Sequence, residues 1–145
     1  MLARIDLEVE EKSIQQQLNS NLDVPIGAYQ PAFVLGTTNP KFQIGHQKVV
    51  EQVKGINYAK LDAEVVLLHH TAIDSAIAAF EIWGSLLNGA KLVIAPSNPL
   101  TIESFGQLIC QHQITTLYMP TRLFHRMADT RLNDLKSVRQ LLVGG

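Results

Sequence analysis

The densest apolar stretch of the chain runs from Leu67 to Pro96, LLHHTAIDSAIAAFEIWGSLLNGAKLVIAP, and its hydrophobic period changes twice along the way. The apolar run from Glu64 to Leu68 predicts a buried strand. The Ala-rich segment that follows is apolar on most sides. That predicts a long helix buried between a sheet and another layer. Leu86-Leu87-Asn88-Gly89 ends this helix, because a glycine just past the last turn takes the left-handed conformation at little cost. Lys91 to Ala95 then resumes an apolar β run, so the order is strand, helix, tight turn, strand.

The same reading extends to both sides. Residues 4 to 9 alternate apolar and charged, which suits a short strand, and Glu10 to Leu18 reads as a helix or polar connector. Asn19 to Pro31 is rich in Asn, Pro and Gly and reads as a loop. Ala32 to Leu35 is a short apolar strand, and Gly36 to Pro40 is a turn. Gly45 to Tyr58 carries Val49, Val50, Val53 and Ile56 at helical spacing, an amphipathic helix. After a loop at Ser97 to Leu100, Thr101 caps a helix running to His112, with Glu103 in the first turn where the helix dipole favours an acid. Ile114 to Met119 is a strand, and Pro120 opens a helix to Asp129. Leu132 to Val138 is a short helical turn, and Gln140 to Val143 is a final strand. Alternating strands and helices predict an α/β fold, a mostly parallel sheet with covering helices.

Composition narrows the function classes. The chain has 145 residues, enough for one domain with a real core. A formal net charge of -1 leaves no electrostatic footprint for nucleic acid. No basic run suggests an anionic membrane surface, and no apolar stretch is long enough to span a bilayer. The first residues, MLARIDLEVEEKS, lack the apolar segment of a signal peptide, so a cytoplasmic location is expected. The single Cys110 excludes an internal disulfide and a cysteine-based zinc site.

Phe80-Glu81-Ile82-Trp83-Gly84 followed by Leu86-Leu87-Asn88-Gly89-Ala90 resembles the amino-acid adenylation domains of nonribosomal peptide synthetases, members of the acyl-adenylate-forming, AMP-binding superfamily. The resemblance extends along the chain. Asn21 to Ile26 is similar to the linker before the family's phosphate loop. Ile114 to Thr121 with Leu123-Phe124 is similar to a following strand and helix. Leu135 to Gly145 is similar to the strand leading to the family's double glycine. The resemblance implies a connector and linker over 1–31 and a partial adenylation core over 32–145. It also implies an internal slice of that N-terminal core, since the family's later ATP-binding motifs and mobile C-terminal subdomain are not among these residues. Such a slice would leave sheet edges and helix faces uncovered, which favours self-association.

In the family, a carboxylate attacks the α-phosphate of ATP with Mg²⁺ present, and the acyl group of the resulting acyl-adenylate passes to a carrier-protein thiol. The resemblance therefore implies ATP and Mg²⁺ as cofactors. The implied partners are the remainder of an adenylation domain or synthetase and a carrier protein. The family's phosphate loop is of the type TSGSTGKPKG, and Gly36, Thr37, Thr38 and Lys41 match its phosphate-binding positions. Here the loop is shortened and Phe42 stands where a glycine is expected, which opposes the close backbone approach that phosphates need. An ordinary Gly-Thr-Asn-Pro turn is the competing reading.

The acid pocket carries a second departure. Matching LHHTAIDSAIAAFEIWG to the family's LHHAPISFDASTFEIWG puts Ala76 where amino-acid-activating members carry the Asp that pairs with the substrate's α-ammonium. Asp74 lies two residues too early, a rotation of about 200° on a helix, so it does not replace that Asp. The other implied pocket positions are Ile77, Phe80, Tyr118, Leu142 and Gly144. Together they describe an apolar pocket with one phenol, suited to a keto, hydroxy or plain acyl acid. The competing reading is that the Asp was lost in a non-functional remnant.

Other reactive residues read as structural. His69 and His70 are adjacent at a strand end and make a poor metal pair. Glu81 is expected as a hydrogen-bonding group of the helix framework. His46 supports a helix start, and His125 and Arg126 face solvent. Ser75 lacks a glycine elbow and a paired histidine, so it is no nucleophile. Cys110 is expected as a buried small hydrophobe. The expected function is that of an adenylation-domain fragment inactive alone. The alternative is a non-catalytic structural or docking piece of a synthetase assembly.

Overall fold

The computed structural model describes residues 6, 8–20, 23–35, 42–96 and 99–145. A short helix α1 (Glu11–Gln15) precedes strands β1 (Pro31–Leu35) and β2 (Phe42–Gly45), which pair antiparallel with Leu35 opposite Phe42. Helix α2 (His46–Val53) follows. Then come β3 (Val66–His69), α3 (Ala76–Leu86), β4 (Lys91–Ile94), α4 (Ile102–His112), β5 (Thr116–Pro120), α5 (Thr121–Arg131), a 3₁₀ turn (Leu132–Leu135) and β6 (Gln140–Gly144). Strands β3 to β6 form one parallel sheet in the order β4-β3-β5-β6.

Helices cover both faces of this sheet. Phe105 and Ile109 of α4 and Met127 of α5 pack with Leu68, Leu117 and Met119 on one side. On the other side α3 lies against β3 and β4, and α2 packs on α3. Leu67 and Leu68 point to opposite faces and are both fully buried, as befits a central parallel strand. No helix among the described residues is long and apolar enough to cross a membrane.

Local chemistry fixes the helix ends. The Ser75 hydroxyl accepts from the Ala78 N–H at 3.0 Å and caps α3. At the other end Gly89 adopts φ +69°, and the Ala90 N–H returns to the Ser85 carbonyl at 3.0 Å. The Asn88 amide donates to the Gly84 carbonyl and to the Val53 carbonyl, closing α3 and α2 together. Thr101 caps α4 by accepting from the Ser104 N–H at 3.1 Å.

Four expectations change. Helix α2 ends at Val53 rather than Tyr58, because Lys54 is extended and Gly55 takes φ +64°. Strand β2 was not anticipated; it carries the buried Ile44 and is held by pairing with β1. Of the expected first strand, Glu8 and Val9 lie in a turn closed by the Glu10 N–H on the Asp6 carbonyl, while residues 4, 5 and 7 lie outside the described residues. Cys110 is exposed rather than buried. The buried face of α4 is Phe105, Gly106 and Ile109, and Cys110 is turned off it, with its thiol 3.5 Å from the Asp134 carbonyl.

Gly106 lets α4 and the 3₁₀ turn approach closely. A Cβ there would collide with the Asp134 carboxylate and lie 3.2 Å from its Cβ. That carboxylate accepts from Arg131 Nε at 2.7 Å. Gly106→Ala therefore has opposing effects: about 1 kcal/mol of helix propensity gained and about 1–3 kcal/mol lost to overpacking and the displaced ion pair. A net loss of stability is expected in urea unfolding, whereas a gain would mean that Asp134 moves aside freely.

Candidate functional site

The strand order determines where a ligand can enter. From β3 the chain moves outward to β4, then crosses back to β5 and on to β6. The direction of winding therefore reverses between β3 and β5, and crevices in such sheets open at the carboxyl ends of the strands at that point. Registered pairing between β3 and β5 is one pair, Leu67 with Thr116. Beyond it the His70 imidazole, through Nε2, contacts the Tyr118 carbonyl at 2.8 Å and bridges the two strands where the ladder stops.

A cavity of about 330 Å³ opens on the α3 side of this crevice. It is lined by Gln52, Tyr58, Ala76, Ile77, Phe80, Tyr118, Leu142 and Val143. Five of the six acid-pocket positions expected from sequence, Ala76, Ile77, Phe80, Tyr118 and Leu142, meet here. The sixth, Gly144, stands behind the wall, where its carbonyl accepts the Tyr118 hydroxyl at 2.7 Å. Val143, Gln52 and Tyr58 complete the lining. Gln52 and Tyr58 arrive because α2 packs on α3, and the Tyr58 and Phe80 rings lie 6.1 Å apart. No spacing within either segment signals that contact.

Among the described residues, no acidic or basic side chain lines the cavity. Asp74 is exposed and absent from its walls. The phosphate-loop positions Gly36, Thr37, Thr38 and Lys41 lie outside the described residues. Among the described residues, no group of three or more His, Cys, Asp or Glu side chains could hold a metal ion.

A larger cavity, about 740 Å³, lies on the α4 side of the same strand ends and includes His69, His70, Thr71, Ile94, Pro96, Leu100 and Phe105. It shares none of the expected acid-pocket positions, so the smaller cavity is the candidate acid site despite its size.

Between the two cavities sits Glu81, whose side chain is fully buried. Its Oε2 lies 2.7 Å from His69 Nδ1 and accepts the Thr71 hydroxyl at 2.8 Å. Its Oε1 has no hydrogen-bond partner among the described residues; His70 Nε2 is 4.0 Å away. The His70 ring in turn meets Phe105 edge-on at 5.0 Å. Glu81 thus ties α3 to the segment after β3 and orients the helix that carries Ala76, Ile77 and Phe80. Through these contacts His69 and His70 serve this framework. Near the opposite ends of the strands, Asp62 is held below the usual carboxylate range by Lys60 and by the Glu64 N–H.

Comparison with known proteins agrees with this fold. The profile of the AMP-binding enzyme family matches residues 12–145. One component protein of the linear gramicidin synthase of Brevibacillus parabrevis is 43% identical over 102 residues, which cover 70% of this chain and 1% of that protein. Another component of the same synthase is 40% identical over 128 residues, covering 85% of this chain and 2% of that protein. Among solved structures, Klebsiella oxytoca NpsA in complex with 3-hydroxyanthranilyl-AMSN superposes with a TM-score of 0.82 at 25% identity, covering 93% of this chain and 28% of that one. The fused adenylation–PCP di-domain NpsA-ThdA superposes with a TM-score of 0.79 at 25% identity, covering 92% of this chain and 25% of that one. The chain therefore spans a small part of the length of each. With the family profile matched over residues 12–145 and two synthetase relatives this similar, the chain belongs to the AMP-binding enzyme family and corresponds to part of a nonribosomal peptide synthetase adenylation domain.

Proposed function

We propose that this chain forms the acid-binding part of an acyl-adenylating site, and that the acid it holds carries no α-ammonium. The observation that carries this reading is the cavity under Ala76, whose lining among the described residues holds no carboxylate. Moving an ammonium group out of water without a counter-charge is costly, whereas a hydroxy, keto or plain acyl group is neutral there. Ile77, Phe80 and Leu142 would bury the apolar body of the acid.

In the reaction proposed for the whole domain, the acid's carboxylate attacks the α-phosphate of ATP, releasing pyrophosphate. The acyl-adenylate then passes its acyl group to a carrier-protein thiol. The acyl-AMSN ligand in the NpsA structure and the carrier domain of the NpsA-ThdA fusion support this choice of ligand and partner. Charge building up on the phosphates needs electrophilic groups. Among the described residues the cavity lining offers no charged group for that task. We therefore assign this chain the binding and orientation of the acid, with phosphoryl chemistry supplied by the remainder of such a domain. The shortening of the phosphate-loop sequence relative to the family pattern favours a second reading, a non-catalytic structural or docking piece.

Calorimetric titration tests the first reading. With ATP and Mg²⁺ the chain alone is expected to give no binding heat, and clear micromolar binding would contradict the division of labour. A plain or hydroxy acid is expected to bind at least about tenfold more tightly than the amino acid of the same skeleton, a difference of about 1.4 kcal/mol. Tighter binding of the amino acid would overturn the reading.

A further inference from the structure

One wall of the acid cavity is built on irregular chain. Between α2 and β3, residues 55–61 make no main-chain to main-chain hydrogen bond among the described residues. Main-chain polar groups need partners, and here side chains supply them. Asn88 Nδ2 donates to the Val53 carbonyl at 3.1 Å, where the segment begins. The Tyr58 hydroxyl donates to the Gln52 carbonyl at 3.0 Å, and the Tyr58 ring stands 6.1 Å from that of Phe80. At the far end the Gln140 carboxamide takes both polar groups of the Lys60 main chain. Its Oε1 accepts the Lys60 N–H at 2.6 Å, and its Nε2 donates to the Lys60 carbonyl at 2.8 Å. The second Nε2 proton goes to the hydroxyl of the buried Thr116 at 2.9 Å, on the strand beside β6. With both N–H groups donating and the oxygen accepting, the carboxamide has a single orientation, since a flipped amide would set N–H against N–H.

Gln140 itself lies outside the cavity lining, whereas Leu142, two residues on, is part of it. Positions i and i+2 of a strand share a face. Strand β6 therefore carries one wall directly, through Leu142, and holds another through Gln140, Lys60 and Tyr58. We propose that Gln140 is a positioning residue that sets how bulky an acid the cavity admits, by fixing the Tyr58 wall relative to β6. This rests on the acid-pocket reading above. Without the carboxamide, the exposed Lys60 main chain pairs with water instead. The segment then keeps its ties to α2 and α3 through Tyr58 and Asn88 but loses this tie to β6, so the Tyr58 wall can move outward and the cavity widens.

The test compares 4-methylpentanoate with the bulkier 4-phenylbutanoate in calorimetric titrations of the unaltered chain, Gln140→Met and Gly106→Ala. Methionine keeps the length of the side chain and removes its hydrogen bonds. Gly106 lies on α4 and outside the cavity lining, so its variant reports the effect of lost stability alone. The ratio of the two affinities, smaller acid over bulkier, is expected to fall about tenfold in Gln140→Met and to stay unchanged in Gly106→Ala. A ratio unchanged in Gln140→Met, or lowered equally in Gly106→Ala, would overturn this inference and leave the acid pocket standing. No binding of either acid to the unaltered chain would overturn both. Should Gln140→Met fail to fold, the side-chain amide signals of Gln140 in the unaltered chain decide the matter. The bulkier acid is expected to shift them and the smaller one to leave them in place, and equal responses would overturn the inference.

Discussion

Glu81→Ala is expected to lower stability by about 3–5 kcal/mol, a large share of the roughly 5–15 kcal/mol that holds a domain folded. The Glu81 side chain is fully buried, and its Oε2 is shared by His69 Nδ1 at 2.7 Å and the Thr71 hydroxyl at 2.8 Å. Truncation leaves both groups without their partner and opens a void beneath α3. An unpaired buried polar group costs about 1–3 kcal/mol, and the missing side-chain volume adds a cavity term. Glu81→Gln keeps the shape and one acceptor, so its cost should be smaller, about 1–2 kcal/mol. The Ser85 hydroxyl is unaffected by either change, because it donates to the Glu81 main-chain carbonyl. Urea unfolding of the two variants provides the comparison. Equal small losses would mean that the cluster contributes little and that α3 is held by its apolar packing alone.

Ala76→Asp is expected to invert ligand preference without loss of stability. Ala76 opens α3 directly after the Ser75 cap, where a carboxylate meets the positive end of the helix dipole. That position favours an acid by about 0.3–1 kcal/mol. The same carboxylate would face the cavity and could accept from an α-ammonium group, a charge-assisted bond contributing about 1.5–3 kcal/mol. At 1.4 kcal/mol per tenfold, the 2-amino acid should gain roughly 10- to 150-fold relative to the hydroxy, keto and plain acids of the same skeleton. Paired titrations of the unaltered chain and the variant measure this directly. A folded variant with unchanged preference would mean that the α-carbon of the ligand does not lie under Ala76.

What was legible in the sequence was mostly local. The left-handed Gly89 and the Thr101 cap follow from chemistry within a few residues, and both appear in place, whereas the Ser75 cap of α3 emerged only in the structure. The end of α2 was not legible from periodicity, because Val49, Val50, Val53 and Ile56 keep helical spacing past the point where Lys54 and Gly55 turn the backbone away. Strand β2 depends on pairing with β1, a tertiary event that leaves only a weak alternation in Phe42 to Gly45. The same distinction holds for the site. The family resemblance marked Ala76, Ile77, Phe80, Tyr118 and Leu142, and the fold brings them around one cavity. Gln52 and Tyr58 join through helix packing. The partners of Glu81 were hidden too: His69 lies 12 positions away, and its approach depends on where β3 ends against α3.

The most direct test of the account is to map a bound acid on the chain by amide chemical shifts, using 2-hydroxy-4-methylpentanoate as the probe. The account predicts perturbations concentrated at Ala76, Ile77, Phe80, Tyr118 and Leu142, around the 330 Å³ cavity. Perturbations centred instead on Thr71, Ile94, Leu100 and Phe105 would place the acid in the larger cavity and contradict the account.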